Sequence, residues 1–198
     1  VLELERPRAG DALGRYAERA QQRPLGGVGR HIHLGPQVAR QLPRFRGPIE
    51  GIVRHGKTYA VPYTYSEMGL VYDRQQFSAP PQSLSVLWDP RWRGKVLAFD
   101  GATHAFSLAA LEQGQLPFRI AQDQLAPLAR HLVRLRRNLL SLYSLPEESV
   151  DLFRRHRVAV MHANYGQQQL KLLRDAGFNV GYVVPREGAL AWLDCWAV

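Results

Sequence analysis

Apolar residues recur along this chain in two rhythms, and the rhythms take turns. Short runs that alternate, or are apolar throughout, read as strands at 58–63, 68–73, 95–99, 139–143, 158–161, 180–184 and 191–198. Segments with three- and four-residue spacing read as helices at 10–22, 103–113, 121–137, 146–156 and 165–176. Leu125, Leu128, Leu132 and Leu135 mark one face of the longest helix, and Phe106, Leu108 and Leu111 the buried side of the one before it. Pro127 is expected to kink or break its helix unless it lies in the first turn. Ser83 is the expected cap of a short helix running into Trp88, and Ser144 that of 146–156, whose first turn holds Glu147 and Glu148. Gly177 suits the left-handed position that ends a helix. Pro62 confines its strand to an edge or a crossing. Residues 23–50 are rich in Gly, Pro and Arg and read as irregular.

Strands alternating with helices imply an α/β sheet covered on both faces. Nothing follows the last strand to cover it. The chain is therefore expected to be a piece of something longer, with apolar strand surface at 193–198 that invites self-association. A chain of 198 residues buries about 70% of its extended surface and needs no staple. Its one cysteine, Cys195, excludes an internal disulfide framework and a multi-cysteine zinc site. No apolar run approaches the ~20 residues of a membrane span. The opening Val1-Leu2-Glu3-Leu4-Glu5-Arg6 has charges where a leader needs its apolar core, so any leader is expected to lie outside this sequence.

Charge changes the picture. Lys and Arg number 26 against 17 Asp and Glu, a formal charge of +9. Such a balance suits nucleic acid, anionic membrane or anionic ligands. The densest runs, 134–137 and 154–157, fall on amphipathic helices and read as solvated faces. Phe153 is the only aromatic beside them, whereas a nucleic-acid surface would interleave aromatics with the arginines. His31 and His33 lack a third ligand nearby, so no metal is expected, and no cofactor. No nucleophile elbow, phosphate loop, dinucleotide fingerprint or zinc-protease motif occurs, and an enzyme is not expected.

What remains is a set of aromatics and polar groups at strand ends. Tyr63, Tyr65 and Glu67 follow one strand, Asp100 another, and Asn164 and Tyr165 a third. Trp192 and Asp194 lie two apart on the last strand and share a face. In open α/β sheets ligands bind beyond the carboxyl ends of the strands. Rings offer cation–π contact and carboxylates pair with ammonium groups, so the set suits a small cation.

These residues carry a resemblance. Gly56-Lys57-Thr58-Tyr59-Ala60-Val61-Pro62-Tyr63-Thr64 followed by Gly69-Leu70-Val71-Tyr72-Asp73, then Leu87-Trp88-Asp89-Pro90-Arg91-Trp92-Arg93-Gly94-Lys95-Val96, then Val183-Val184-Pro185-Arg186-Glu187-Gly188-Ala189-Leu190-Ala191-Trp192-Leu193-Asp194, resemble the periplasmic solute-binding proteins of polyamine (spermidine/putrescine) ABC transporters. The match runs in order from about residue 49 to 198. It implies a type II periplasmic-binding-protein-like α/β fold, with one complete doubly wound lobe and part of a second. The complete lobe would span 64–179, and residues 1–58 and 185–198 would belong to the partial one. Strands 59–63 and 180–184 would form the hinge. It also implies a periplasmic location and membrane subunits of a transporter as partners.

The sequence departs from the family where the ligand would lie. The paired acidic motif Asp-Asp-x-Arg-Glu reads Asp100-Gly101-Ala102-Thr103-His104, and the tryptophan before Asn-Gly is missing from His162-Ala163-Asn164-Tyr165-Gly166. The ligand set implied is Asp194 on an ammonium group, Trp192, Tyr63, Tyr65 and Tyr165 as walls, Glu67 and Asp100 at a second ammonium, and Asn164 and His104 beside them. Glu187 is placed outside it. Two alternatives stay open at this point: the same module as the sensing domain of a membrane receptor, and a basic nucleic-acid-binding module.

Overall fold

The computed structural model describes residues 52–55 and 57–197. The helix expected at 10–22, the stretch 23–50 and the His31/His33 pair lie outside the described residues. In chain order the elements are β1 (Val53–Arg54), β2 (Lys57–Thr58), β3 (Ala60–Met68), β4 (Leu70–Asp73), β5 (Val96–Phe99), α1 (Ala102–Glu112), α2 (Gln122–Arg136), β6 (Leu139–Tyr143), α3 (Pro146–Arg155), β7 (Val160–His162), α4 (Gln167–Asp175), β8 (Val180–Val183) and β9 (Leu190–Ala197). Two short 3-10 turns, Leu84–Trp88 and Pro90–Trp92, lie between β4 and β5. The chain divides into two compact units. One is Ser66–Trp192, and the other contains the described residues before Ser66 and after Trp192.

In the smaller unit β1 and β2 pair antiparallel, Val53 opposite Thr58. Strands β3 and β9 pair as a two-stranded sheet, and along them the chain passes from one unit to the other. Residues 63–67, expected to follow a strand, are inside one. Tyr-Thr-Tyr-Ser-Glu is too polar to read as strand by itself, but its period of two meets a partner in β9.

The larger unit carries a five-stranded sheet in the order β6-β5-β7-β4-β8. Strand β5 runs parallel to β6 and β7, while β4 is antiparallel to β7 and β8. Strands β6, β5, β7 and β8 therefore point the same way and β4 runs against them, so the sheet is mostly parallel with one reversed strand. Alternation along each strand splits the core. Leu70, Tyr72, Val96 and Val160 pack with Leu108 of α1, Leu135 of α2 and Leu84 and Leu87 of the first 3-10 turn. Their neighbours Val71, Leu97 and Met161 face the other way, onto Phe153 of α3 and Leu170 and Leu173 of α4. Strands buried on both sides have to be apolar at every position, which is why these runs show no alternation in the sequence.

One strand pairs differently from expectation. The segment 180–184, expected to cross beside 59–63, instead forms β8 at the edge of the large sheet. Glycine permits this pairing. Gly181 stands opposite Tyr72, and a Cβ there would lie 2.3 Å from the Tyr72 ring. The Tyr182 hydroxyl donates to the Glu67 carbonyl and accepts the Gly69 N–H, both at 2.8 Å, at the break between β3 and β4.

The helix ends follow local chemistry. Ser83 caps the first 3-10 turn by accepting the Ser85 N–H at 3.1 Å. Ser144 does not cap α3. The cap position is Leu145, and the Glu148 carboxylate accepts the N–H groups of Ser144 and Leu145 at 2.7 and 3.1 Å, which holds it below the usual carboxylate range. Pro127 lies in the second turn of α2, and the helix runs through it. Gly177 takes φ +87 after α4, as expected. Helices α1 and α2 share a buried polar junction. The His131 Nε2–H donates to Glu112 at 2.8 Å, its Nδ1 accepts from Arg134 at 2.7 Å, and its ring stacks on Trp88 at 4.5 Å. The remaining arginines of 134–137 and 154–157 are exposed.

Two predictions follow from the buried polar groups around β7. The Tyr143 hydroxyl donates to the His162 carbonyl at 2.7 Å and accepts the Asn164 N–H at 2.8 Å. Tyr143→Phe leaves both backbone groups unpaired and is expected to cost about 2–3 kcal/mol in chemical denaturation. Burial, with the neighbouring His104, pushes His162 from 6.5 down to about 4. As pH falls from about 6.5 to 4 the unfolded chain takes up a proton that the folded chain refuses. Stability should be level in this respect above 6.5 and drop by up to about 3 kcal/mol by pH 4. Urea titrations of wild type and His162→Gln across that range check this, since the variant should lose the slope.

Candidate ligand-binding site

Strands β5, β6 and β7 are parallel, so the helices that follow them, α1, α3 and α4, all begin at the same end of the large sheet. That end holds several of the expected residues. Phe99, the last residue of β5, is the centre of a ring cluster. His104 meets it edge-on at 5.0 Å, Tyr143 at 5.9 Å and Tyr165 at 6.1 Å. The Tyr165 hydroxyl donates to the Ser144 carbonyl at 2.7 Å, which fixes the ring across the β6–α3 turn.

Gly101, where the family pattern has a second acid, sits under this cluster. A Cβ there would come within 2.9 Å of both His104 Nδ1 and the Phe99 ring. The rings of His104 and Phe99 together occupy the space a side chain at 101 would need. Asp100 is exposed at the same strand end, its N–H bonded to the Tyr143 carbonyl at 2.9 Å.

Asn164 is buried at the end of β7. Its N–H is taken by Tyr143, its carbonyl accepts Trp192 Nε1–H at 3.2 Å, and its side-chain Oδ1 has no partner. Gln169, fully buried on α4, accepts the Tyr165 N–H at 3.1 Å and donates to Ser149 of α3 at 3.2 Å. Between Tyr165 and α4, Gly166 takes φ +54 in close approach. A Cβ there would be 2.2 Å from Ser66 Oγ and 2.5 Å from the Glu67 carbonyl. Glu67, half-buried on β3, is therefore next to the start of α4, and its charge and burial together push the Tyr182 hydroxyl upward, burial being the larger cause.

Two expected residues, Tyr63 and Asp194, lie in the smaller unit. The Tyr63 hydroxyl donates to Asp194 Oδ2 at 3.4 Å, and the Tyr63 ring lies 5.1 Å from that of Trp196. Partial desolvation and the adjacent Asp194 charge hold this phenol above its ordinary value. Asp194 is exposed, as are Tyr63 at 51% and Trp196 at 67%. Tyr65 is half-buried between Tyr63 and Glu67 on the same side of β3.

The structure thus groups His104 with Tyr165, Asn164 with Trp192, and Tyr63 with Asp194. It adds Phe99 and Trp196, which sequence reasoning missed. For Trp196 the signal was present, because it continues the period of two from Trp192 and Asp194 along β9. Phe99 looked like an ordinary end of a buried strand. Glu187 accepts from Ser83 Oγ at 2.5 Å and from the Leu84 N–H at 3.1 Å, a brace between the loop before β9 and the first 3-10 turn.

Comparison with known proteins matches this architecture. The chain is 26% identical over 144 residues to spermidine/putrescine-binding periplasmic protein 1 of Haemophilus influenzae, covering 72% of this chain and 39% of that protein. The structure is similar to the spermidine/putrescine ABC transporter substrate-binding protein PotD of Streptococcus pneumoniae, with a TM-score of 0.60 and 23% identity over 70% of this chain and 42% of that one. It is also similar to the periplasmic binding protein AfuA of Actinobacillus pleuropneumoniae, solved with fructose-6-phosphate, with a TM-score of 0.57 and 18% identity over 81% of this chain and 48% of that one. The chain spans less than half the length of each of these relatives. A family model matches residues 33–198, and by that match the chain belongs to the bacterial extracellular solute-binding proteins.

Proposed function

We propose that this chain is the ligand-binding part of an extracytoplasmic protein that captures a polyamine-like cation and delivers it to the membrane subunits of an ABC transporter, with no catalytic step. One observation carries the reading. Asp194 presents an exposed carboxylate beside Tyr63, and the Trp196 ring packs on that tyrosine. A carboxylate flanked by rings is the arrangement that an alkyl-ammonium group needs, since the charge pairs with the acid and the methylenes cover the rings. The spermidine/putrescine relative supports the same ligand class.

In this reading Asp194 holds one ammonium, with Trp192, Tyr65 and Tyr165 as further walls. Asp100 and Glu67 serve the second ammonium and Asn164 Oδ1 accepts a hydrogen bond from the ligand. The compact unit Ser66–Trp192 corresponds to one lobe of the binding protein. His104 takes the place of an acid and weakens the second contact, so a diamine is held more firmly at one end.

Calorimetric titration of the full-length protein with putrescine and spermidine tests the assignment. Charge-assisted pairs shielded from water cost about 2–5 kcal/mol when one partner is removed. Asp194→Asn is therefore expected to weaken binding by about 30-fold or more. Glu187→Gln, at the brace, should leave affinity within about twofold. His104→Glu returns an acid beside Phe99 and is expected to tighten binding by about tenfold. Equal effects of Asp194→Asn and Glu187→Gln would defeat the proposal, as would an unmutated protein that binds neither amine.

A further inference from the structure

The large unit contains a cavity whose wall shares only Phe99 and His104 with the candidate cation site. It lies between the sheet and helices α1 and α2 and has a volume of about 150 Å³. Five of its eleven lining residues are leucines, Leu108, Leu132, Leu135, Leu139 and Leu142, and Ala105 of α1 is another. His104, Arg136 and His162 also line it. His162 is the unusual member. It is 2% exposed, and its Nε2 has no hydrogen-bond partner. The ring's other nitrogen faces the Met68 carbonyl, so the proton sits on Nδ1 and Nε2 keeps a lone pair. Burial keeps this imidazole neutral at pH 7.

A buried acceptor without a donor is costly, at roughly 1–3 kcal/mol. Water is a poor remedy here. A buried water needs two to four polar partners, and this wall is mostly apolar, with Leu, Ala and Phe making up eight of its eleven residues. Cavities of about this size with apolar walls hold a molecule the size of benzene. Arg136 is charged at every accessible pH and opposes a cationic guest, while its guanidinium is attracted to an aromatic face. The lone pair on His162 opposes an anion. A neutral ring with a single donor satisfies all of these demands.

We propose that this cavity binds a small neutral aromatic molecule carrying one hydroxyl or N–H donor, of the phenol class, with its ring among the leucines and its donor on His162 Nε2. This site borders the cation site proposed above and shares His104 and Phe99 with it, but its guest is held through His162 and not through a carboxylate, so its test does not depend on amine binding.

The test uses the full-length protein with two probes of the same shape, phenol and toluene, which differ by a hydroxyl against a methyl. Binding is followed by amide chemical shifts and by calorimetry. Phenol is expected to shift the amides of α1, α2 and β6. His162→Leu should weaken phenol at least tenfold and leave toluene within threefold, because only the donor contact is lost. Ala105→Phe places a ring into the cavity from α1 and should abolish binding of both probes. This second variant leaves His162 in place and decides the matter if His162→Leu does not fold. Phenol binding that survives Ala105→Phe overturns the proposal, as does an equal loss of phenol and toluene in His162→Leu. No saturable phenol binding by the unmutated protein overturns it outright.

Discussion

The Tyr143 hydroxyl is the contact on which the candidate site of the larger unit depends. It is a side-chain group performing a backbone task, joining the end of β6 to the turn after β7 where the ladder has stopped. Because the ring is 1% exposed, no water stands in for either partner. Asn164 is held in place by it, and Trp192 is held in turn by the Asn164 carbonyl. Gln169 extends the same logic, tying the start of α4 to α3 through Ser149. The strand-end residues of the larger unit are thus positioned by a largely buried polar network, an arrangement that holds a unique geometry because each unsatisfied member is expensive.

The layered fold was legible because its cause is local in sequence. Leu97 and Met161 face one layer of helices, and their neighbours Val96 and Val160 face the other. That demand writes continuous apolar runs between amphipathic helices, and both are visible without coordinates. Pairing was less legible. The polarity of 63–67 hid the length of β3, and no local pattern distinguishes β8 as a neighbour of β4 from β8 as a neighbour of β3. The deciding contacts, Tyr72 over Gly181 and Tyr182 at Gly69, join residues more than a hundred positions apart. The Ser144 cap failed for a related reason. A serine at the right place signals a cap, but Glu148 reaches back with a charged acceptor and takes both N–H groups.

The candidate site was legible as a set of strand-end residues and less so as groups. Resemblance carried Asp194 and Trp192, and the structure shows what each touches. Phe99 escaped notice because a phenylalanine that ends a buried strand needs no special explanation. Its role as the centre around His104, Tyr143 and Tyr165 depends on which helices begin beside it. His162 escaped for the opposite reason. A histidine in an apolar strand signals something, but only the packing shows that one of its nitrogens is left alone.

The packing of His104 against Phe99 has a consequence for how this sequence can change. With that imidazole in place, any side chain at position 101 starts 2.9 Å from two rings and must displace both of them. Substitutions at 101 and 104 are therefore not independent, and their combined effect departs from the sum. The order of events matters: an acid acquired first at 101 meets a steric obstacle, whereas the same acid acquired after His104 has been replaced finds that half of the obstacle gone. Replacing His104 removes one of the two close approaches, and the Phe99 ring remains as the other, so an acid at 101 needs both rings to give way.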